Sequence, residues 1–207
     1  MITGKLKFIL DKIRTLREYL KISGGDRISR RYFIMNSFDG LVTILGVIVG
    51  ALVTGVVKPT VIIGIGMGST IGMVISGFSG TFIAEKTERE IDLERLKQAL
   101  LVKSLDNTIH QKIFRATVLW VSFIDAISPA ISAVIALAPQ LLAVYGLIDP
   151  FTAIIYSILV ILSFLFVLGV YLAKVSRKNV IYGGLTLLAV GIGTTLVIIA
   201  LLSLFGY

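Results

Sequence analysis

Two carboxylates stand inside long apolar stretches of the chain. Asp39 is the only charge in the 26 residues that separate Arg31 from Lys58, and Asp125 is the only charge in the 33 residues that follow Arg115. A carboxylate within a membrane span costs roughly 2.5–3.5 kcal/mol on insertion scales, so such a residue usually faces a partner, a cavity or an ion path. Both acids are candidates for binding a cation or a proton. The alternative for each is that it caps backbone groups or is held neutral by burial.

Polar and sulfur-containing side chains recur at helical spacing near these acids. Oxygen ligands with an occasional thioether suit a divalent metal better than an organic anion. The candidate residues for metal binding or proton transfer are Asp39, Asp125, Met73 and Glu85, and the polar residues expected to line the path are Asn36, Ser76, Ser122 and Ser128.

A run of acids follows the second apolar stretch, and its members are Glu85, Glu88, Glu90, Asp92 and Glu94. Acids on one helix face, together with water, can hold a hard cation. Basic residues are interleaved with them, namely Lys86, Arg89, Arg95 and Lys97. That interleaving equally favours ion pairs along a helix surface. The sequence leaves both interpretations open, and Glu88, Glu90, Asp92 and Glu94 remain candidates for capturing metal on the cytoplasmic side.

The composition places these residues in a membrane protein. Of the 207 residues, 56% are hydrophobic and 15% are charged, which excludes a soluble enzyme. Zero cysteines exclude thiolate sites, and His110 alone excludes a site built from several imidazoles. Five apolar runs are each longer than the ~20 residues that a helix needs to cross a bilayer. The fold class is therefore an all-α integral membrane protein with five transmembrane helices. No nucleophile–base pair lies in the spans, so we do not expect an enzyme.

The basic residues predict the orientation of the chain. Nineteen of the 20 Lys and Arg residues fall on one side of the five runs, and only Lys58 falls on the other. The positive-inside rule then puts the N-terminus in the cytoplasm and the C-terminus outside. The formal charge of +8 is explained by this asymmetry, so nucleic acid is not an expected partner. A prokaryotic plasma membrane is expected because no organelle-targeting segment is apparent.

Four segments follow from these patterns. They are a cytoplasmic N-terminal helix (1–30), a transmembrane hairpin of spans one and two (31–84), a short cytoplasmic helical segment (85–112) and spans three to five (113–207). The cytoplasmic helices are expected to be amphipathic. The N-terminal one has bases between the regularly spaced residues Leu6, Ile9, Leu10, Ile13, Leu16 and Leu20. It is predicted either to lie on the anionic leaflet, with membrane lipid as its partner, or to pack on other cytoplasmic parts.

Small residues repeat every four positions in spans one and two, as in Gly46–Gly50, Gly64–Gly68 and Gly68–Gly72. This spacing lets helix backbones approach closely where lipid supplies no hydrophobic force. The pattern fits a homodimer built on spans one and two, and it fits packing within one chain equally well.

Three stretches carry a family resemblance: "FDGLVTILGVIVGA" (38–51), "SGFSGTFIAEKTERE" (76–90) and "ISAVIALAPQLL" (131–142). With them the chain resembles the vacuolar iron transporter family, which includes the nodulin-like membrane proteins, over roughly residues 30–207. The resemblance implies a homodimer that exports ferrous iron or manganese in exchange for protons, with Asp39 as an intramembrane ligand. It also implies a methionine at position 77 and an acid at position 81, where this chain has Gly77 and Thr81.

Two functions follow. The first is a dimeric exchanger in which the metal is the transported substrate and no resident cofactor is needed. Asp39 is then ligand and proton acceptor, and Asp125 a second ligand or proton relay. The alternative is a non-transporting membrane scaffold or lipid-binding protein that kept the fold and lost the metal site, which Gly77 and Thr81 favour.

Overall fold

The computed structural model describes residues 2–102, 104–105 and 108–206, without the side chains of residues 2–6, 8 and 9. Leu6 and Ile9 of the expected N-terminal apolar face therefore lie outside the described side chains. Six α-helices make up the described part, which contains no strand. In chain order they are α1 (Ile2–Ser23), α2 (Gly25–Val53), α3 (Pro59–Leu100), α4 (Ile109–Val144), α5 (Pro150–Val175) and α6 (Val180–Leu204).

Five of these helices, α2 to α6, are long and apolar enough to cross a membrane. The shortest, α6, has 25 residues, or about 37 Å at 1.5 Å per residue, against a hydrocarbon core of ~30 Å. The predicted five apolar spans of an all-helical, multi-pass membrane protein are thus confirmed. The 42-residue helix α3 continues unbroken from the second span through the acidic run to Leu100.

Local sequence signals explain where the helices begin and end. Gly24 separates α1 from α2 with a φ of +71°, a conformation that glycine adopts at little cost. Pro59 starts α3, where its missing N–H is not needed. Asp149 caps α5 by accepting hydrogen bonds from the N–H groups of Phe151 and Thr152. The break between α1 and α2 falls within the "SGGD" stretch (23–26).

The helices divide into two compact units, each of which is considered by itself. The first comprises the residues up to Phe33 together with Ile75–Ala126, and the second comprises Ile34–Val74 and Ile127–Tyr207. In the second unit, Gly66 lies against the side chains of Leu137 and Ile44. The fully buried apolar residues of this unit include Leu41, Ile44, Leu45, Ile48, Ile62, Leu137, Ile154, Ile161 and Leu165.

The spans differ in how much of their surface one chain covers. In the apolar window of α4, 56% of the residues are buried, against 17% in α3 and 6% in α6. A helix that is apolar and uncovered requires lipid or another apolar surface around it. Most of the faces of α3 and α6 are therefore available to lipid or to a second copy.

Candidate cation-binding residues in the membrane spans

Asp125 lies on α4 within the first unit and is only 3% exposed. The hydroxyl of Thr81 on α3 donates a hydrogen bond to its Oδ2 atom over 2.6 Å. Thr81 is buried as well. A short bond of this kind to a carboxyl oxygen is among the stronger hydrogen bonds in proteins. The pair fixes the position of the carboxyl group and joins two spans at a polar contact.

Gly77 provides the space that this carboxyl group occupies. A Cβ atom added at Gly77 would lie 3.0 Å from Oδ2 of Asp125, which is closer than an ordinary carbon–oxygen contact. Gly77 and Thr81 are four residues apart and so share one face of α3. These are the two positions at which the resemblance implies a methionine and an acid, and the structure brings Asp125 of α4 to both of them.

The serine stripe of α4 is buried along its length, with Ser122, Ser128 and Ser132 all inaccessible. The hydroxyl of Ser122 donates to the carbonyl of Val118 over 2.8 Å, and that of Ser132 donates to the carbonyl of Ser128 over 3.1 Å. The hydroxyl protons of Ser122 and Ser132 are used within the helix, so these two side chains present oxygen lone pairs to their surroundings.

Asp39 contrasts with Asp125, because it is exposed on α2 in the second unit. Its neighbour Gly40 is buried against α4, where an added Cβ would lie 2.9 Å from the Cα of Pro129. The helix backbones are thus in close contact at the residue that follows the acid. The carboxyl group of Asp39 stands on an uncovered surface of an apolar span.

The other predicted path residues lie on both units. Asn36 and Met73 are half-buried in the second unit, and Ser76 is exposed in the first. Each makes contacts within the chain. In the part of the chain that the structure describes, no three His, Asp or Glu side chains converge on a point that could hold a metal ion.

Glu85 belongs to a buried polar junction in the first unit. Its carboxylate lies 4.0 Å from Nε of Arg89. Both terminal nitrogens of Arg89 donate to the carbonyl of Ser23 over 3.3 Å, at the end of α1. The Ser23 hydroxyl in turn shares a 2.7 Å hydrogen bond with that of Thr117 on α4. The charge on Glu85 therefore helps to join three helices. Sequence reasoning missed Thr81 and this role of Arg89.

Most of the remaining acids of α3 form ion pairs on its surface. The pairs are Lys86–Glu90 at 3.7 Å, Arg95–Asp92 at 3.9 Å and Lys97–Glu94 at 2.9 Å. All six side chains keep a third or more of their surface exposed, and Glu88 is exposed too. For Glu90, Asp92 and Glu94 the structure thus contains the surface ion pairs that their spacing allows.

Comparison with known proteins shows a relative that matches most of the chain. No family model matches the chain. The chain is similar to the uncharacterized protein MJ0645 of the archaeon Methanocaldococcus jannaschii, with 31% identity over 179 residues. The similarity covers 85% of this chain and 89% of that protein. The likeness therefore extends over nearly the whole of both proteins.

Proposed function

The chain belongs to the family of the Methanocaldococcus jannaschii protein MJ0645, and from the chemistry of its spans we propose that it is a transporter of divalent transition metals. It exports ferrous iron or manganese from the cytosol of a prokaryotic cell in exchange for protons, and it works as a homodimer. Asp39 is the central ligand of the transported ion.

The main support for this proposal is that the side chain of Asp39 is exposed. The residue lies about 12 Å along α2 from Arg31, well inside an apolar span. A carboxylate facing lipid at that depth is unfavourable. A second copy related by a two-fold axis would cover it and place the partner's Asp39 opposite, because such an interface brings the same patch of both chains together. A divalent cation between two carboxylates neutralises their repulsion and supplies the missing partner.

The uncovered glycine face of α3 supports the dimer. Gly64, Gly68 and Gly72 have no atom within 4 Å of an added Cβ, so no part of their own chain packs on them. Gly50 on α2 is open in the same way. Small residues at four-residue spacing allow two spans to approach closely. We assign this face to contact between copies through spans one and two.

Exchange of metal for protons follows because both bind to the same carboxylate oxygens. A carboxyl group must lose its proton to bind a metal, so metal binding releases protons and protonation releases metal. Asp125, held by Thr81, is a second ligand or proton relay in this scheme. The excess of bases on one side of the spans supports a cytoplasmic N-terminus, an external C-terminus and export from the cytosol.

A non-transporting membrane scaffold or lipid-binding protein is the second candidate. The hydrogen bond between Thr81 and Asp125 favours this candidate, because one oxygen of the carboxyl group already accepts a proton donor and is less able to bind a cation. The paired acids of α3 favour it as well, since ion pairs compete with cation capture. In this case the same fold serves as a surface for lipid or protein.

The deciding experiment measures transport by the purified chain in proteoliposomes. We expect uptake of ferrous iron or manganese with matching proton movement, reported by an internal pH dye. Asp39→Asn removes the charge at constant size, and it abolishes the metal flux. Asp149→Asn is the matched control, because Asp149 is an exposed helix cap and asparagine caps helices equally well. Absence of flux from folded, dimeric protein would favour the scaffold.

A further inference from the structure

From residue 10 onward, where its side chains are described, the first helix is attached to the rest of the first unit along one side. Leu20 is 4% exposed, and Leu16 and Tyr19 are half-buried. At the helix end, Ser23 bonds to Thr117 and to Arg89, as described above. Farther back along α1, a groove of about 440 Å³ is lined by Asp11, Lys12, Thr15, Leu16, Tyr19 and, from α4, Ala116.

These contacts show at which residues of α4 the first helix lies. Ala116 and Thr117 directly follow Arg115, after which α4 has no charge for nine residues. Arg115 therefore marks the point at which α4 enters the apolar layer. Because α1 touches α4 at that point, it lies at the level of the lipid headgroups.

The side of α1 that is not attached is mostly basic, and Glu18 at its edge forms an exposed ion pair with Arg14 at 3.5 Å. At 100° per residue, positions 7, 10, 14, 17 and 21 share one helix face. Four of them are basic and one is apolar, and all are exposed: Lys7, Leu10, Arg14, Arg17 and Lys21. Ile13 borders this face, and more than half of its surface and of that of Leu10 is accessible. The whole helix has six basic and two acidic residues.

We propose that this face of α1 binds anionic phospholipid headgroups in the leaflet that it borders. Basic residues next to a membrane gain free energy from the negative surface potential of anionic lipids. Exposed Leu10 and Ile13 gain further by entering the boundary between headgroups and acyl chains, as in other helices that lie in the membrane surface. The charge complementarity commits the site to anionic lipid, and the proposal does not depend on metal transport.

The absence of cysteine in the native chain permits a direct test. An environment-sensitive dye on Ile13→Cys reports whether this face enters the membrane. The full chain is placed in nanodiscs of phosphatidylcholine alone, or of phosphatidylcholine with phosphatidylglycerol at three to one. We expect a blue shift and protection from an aqueous quencher in the mixed lipid only. About 1 M salt, where the Debye length is ~3 Å, reverses both. A dye on Ala99→Cys, exposed on α3, is unaffected.

Charge variants identify the residues responsible. Each base near an anionic surface contributes about fivefold to the equilibrium. Arg17→Gln with Lys21→Gln therefore lowers the ratio of embedded to exposed dye about 25-fold. Lys174→Gln with Lys178→Gln removes the same charge from the connection between α5 and α6 and has no effect.

Three outcomes overturn the proposal. The first is an identical signal in neutral and mixed lipid, and the second is a dye that stays exposed in both. The third is protection that grows with protein density in neutral lipid, which would assign the face to a second copy. Circular dichroism of each variant separates loss of lipid binding from loss of folding.

Discussion

The hydroxyl of Thr81 donates to Oδ2 of Asp125 over 2.6 Å, which joins α3 to α4 inside the apolar part of the first unit. Asp125 and Glu85 are the two buried ionisable side chains among the described residues. Glu85 follows Thr81 by one turn on the same helix face. One face of α3 therefore carries successive polar contacts, first between Thr81 and Asp125 and then between Glu85 and Arg89.

Replacing Thr81 by valine keeps the shape of the side chain and removes the donor. The carboxyl group of Asp125 then loses a hydrogen bond in a place that water does not reach. We expect Thr81→Val to lower the free energy of unfolding by about 1–3 kcal/mol. Reversible unfolding in mixed micelles measures the change.

Thr87→Val is the matched control, because Thr87 is exposed and its hydroxyl bonds only to the carbonyl of Ile83 on its own helix. It is expected to change stability by less than about 0.5 kcal/mol. Equal effects of the two substitutions would show that valine in α3, rather than the bond to Asp125, is responsible.

Gly77→Ala tests whether the carboxyl group needs the space at position 77. The new Cβ lies 3.0 Å from Oδ2 of Asp125, so the carboxyl group that Thr81 holds must shift. We expect destabilisation of about 1–3 kcal/mol, although alanine is the better helix former by about 1 kcal/mol. Gly80→Ala is the control. Nothing lies within 4 Å of an added Cβ there, so this substitution is expected to show only the gain in helix propensity.

A double-mutant cycle isolates this contact. Once Asp125→Ala has removed the carboxyl group, Gly77→Ala is expected to cost nothing further. If the two effects simply add, the clash with Asp125 is not the cause of the destabilisation.

The membrane spans could be predicted because their signal is local. Long uncharged runs and a glycine pair at 24–25 are enough to define five apolar helices and the break before α2. The meeting of Gly77 and Thr81 with Asp125 could not be predicted in this way. It depends on how α3 is rotated and shifted along α4, and no periodicity within either helix contains that information. Asp39 and Asp125 are each a lone acid in a long apolar run, and the sequence does not show that one is exposed and the other buried.

Arg89→Met tests the junction between α1, α3 and α4. Methionine keeps the apolar stem but leaves the Glu85 carboxylate and the Ser23 carbonyl without the guanidinium. Hydrogen bonds to charged groups contribute about 1.5–3 kcal/mol each, so we expect a loss of stability in that range. Hydrogen exchange at residues 24–25 should become faster, because the end of α1 is released.

Arg95→Met supplies the comparison for Arg89. Arg95 lies 3.9 Å from Asp92 in an exposed pair, and pairs of this kind contribute about 0–1 kcal/mol. A similar loss in both variants would contradict the role of Arg89 as a junction residue.

Gly68→Leu and Gly66→Leu separate contact between copies from packing within one chain. Gly68 has open space around it, whereas a Cβ at Gly66 would lie 3.0 Å from Leu137. We expect Gly68→Leu to leave the protomer folded and to shift the proposed dimer to monomer, because a large side chain prevents close approach of two α3 helices. Gly66→Leu is expected to destabilise the protomer by about 1–3 kcal/mol through overpacking. Single-molecule photobleaching in bilayers counts the copies, and unfolding in micelles measures stability. If Gly68→Leu stays dimeric at low density, the copies do not meet on this face of α3, and another surface must cover Asp39.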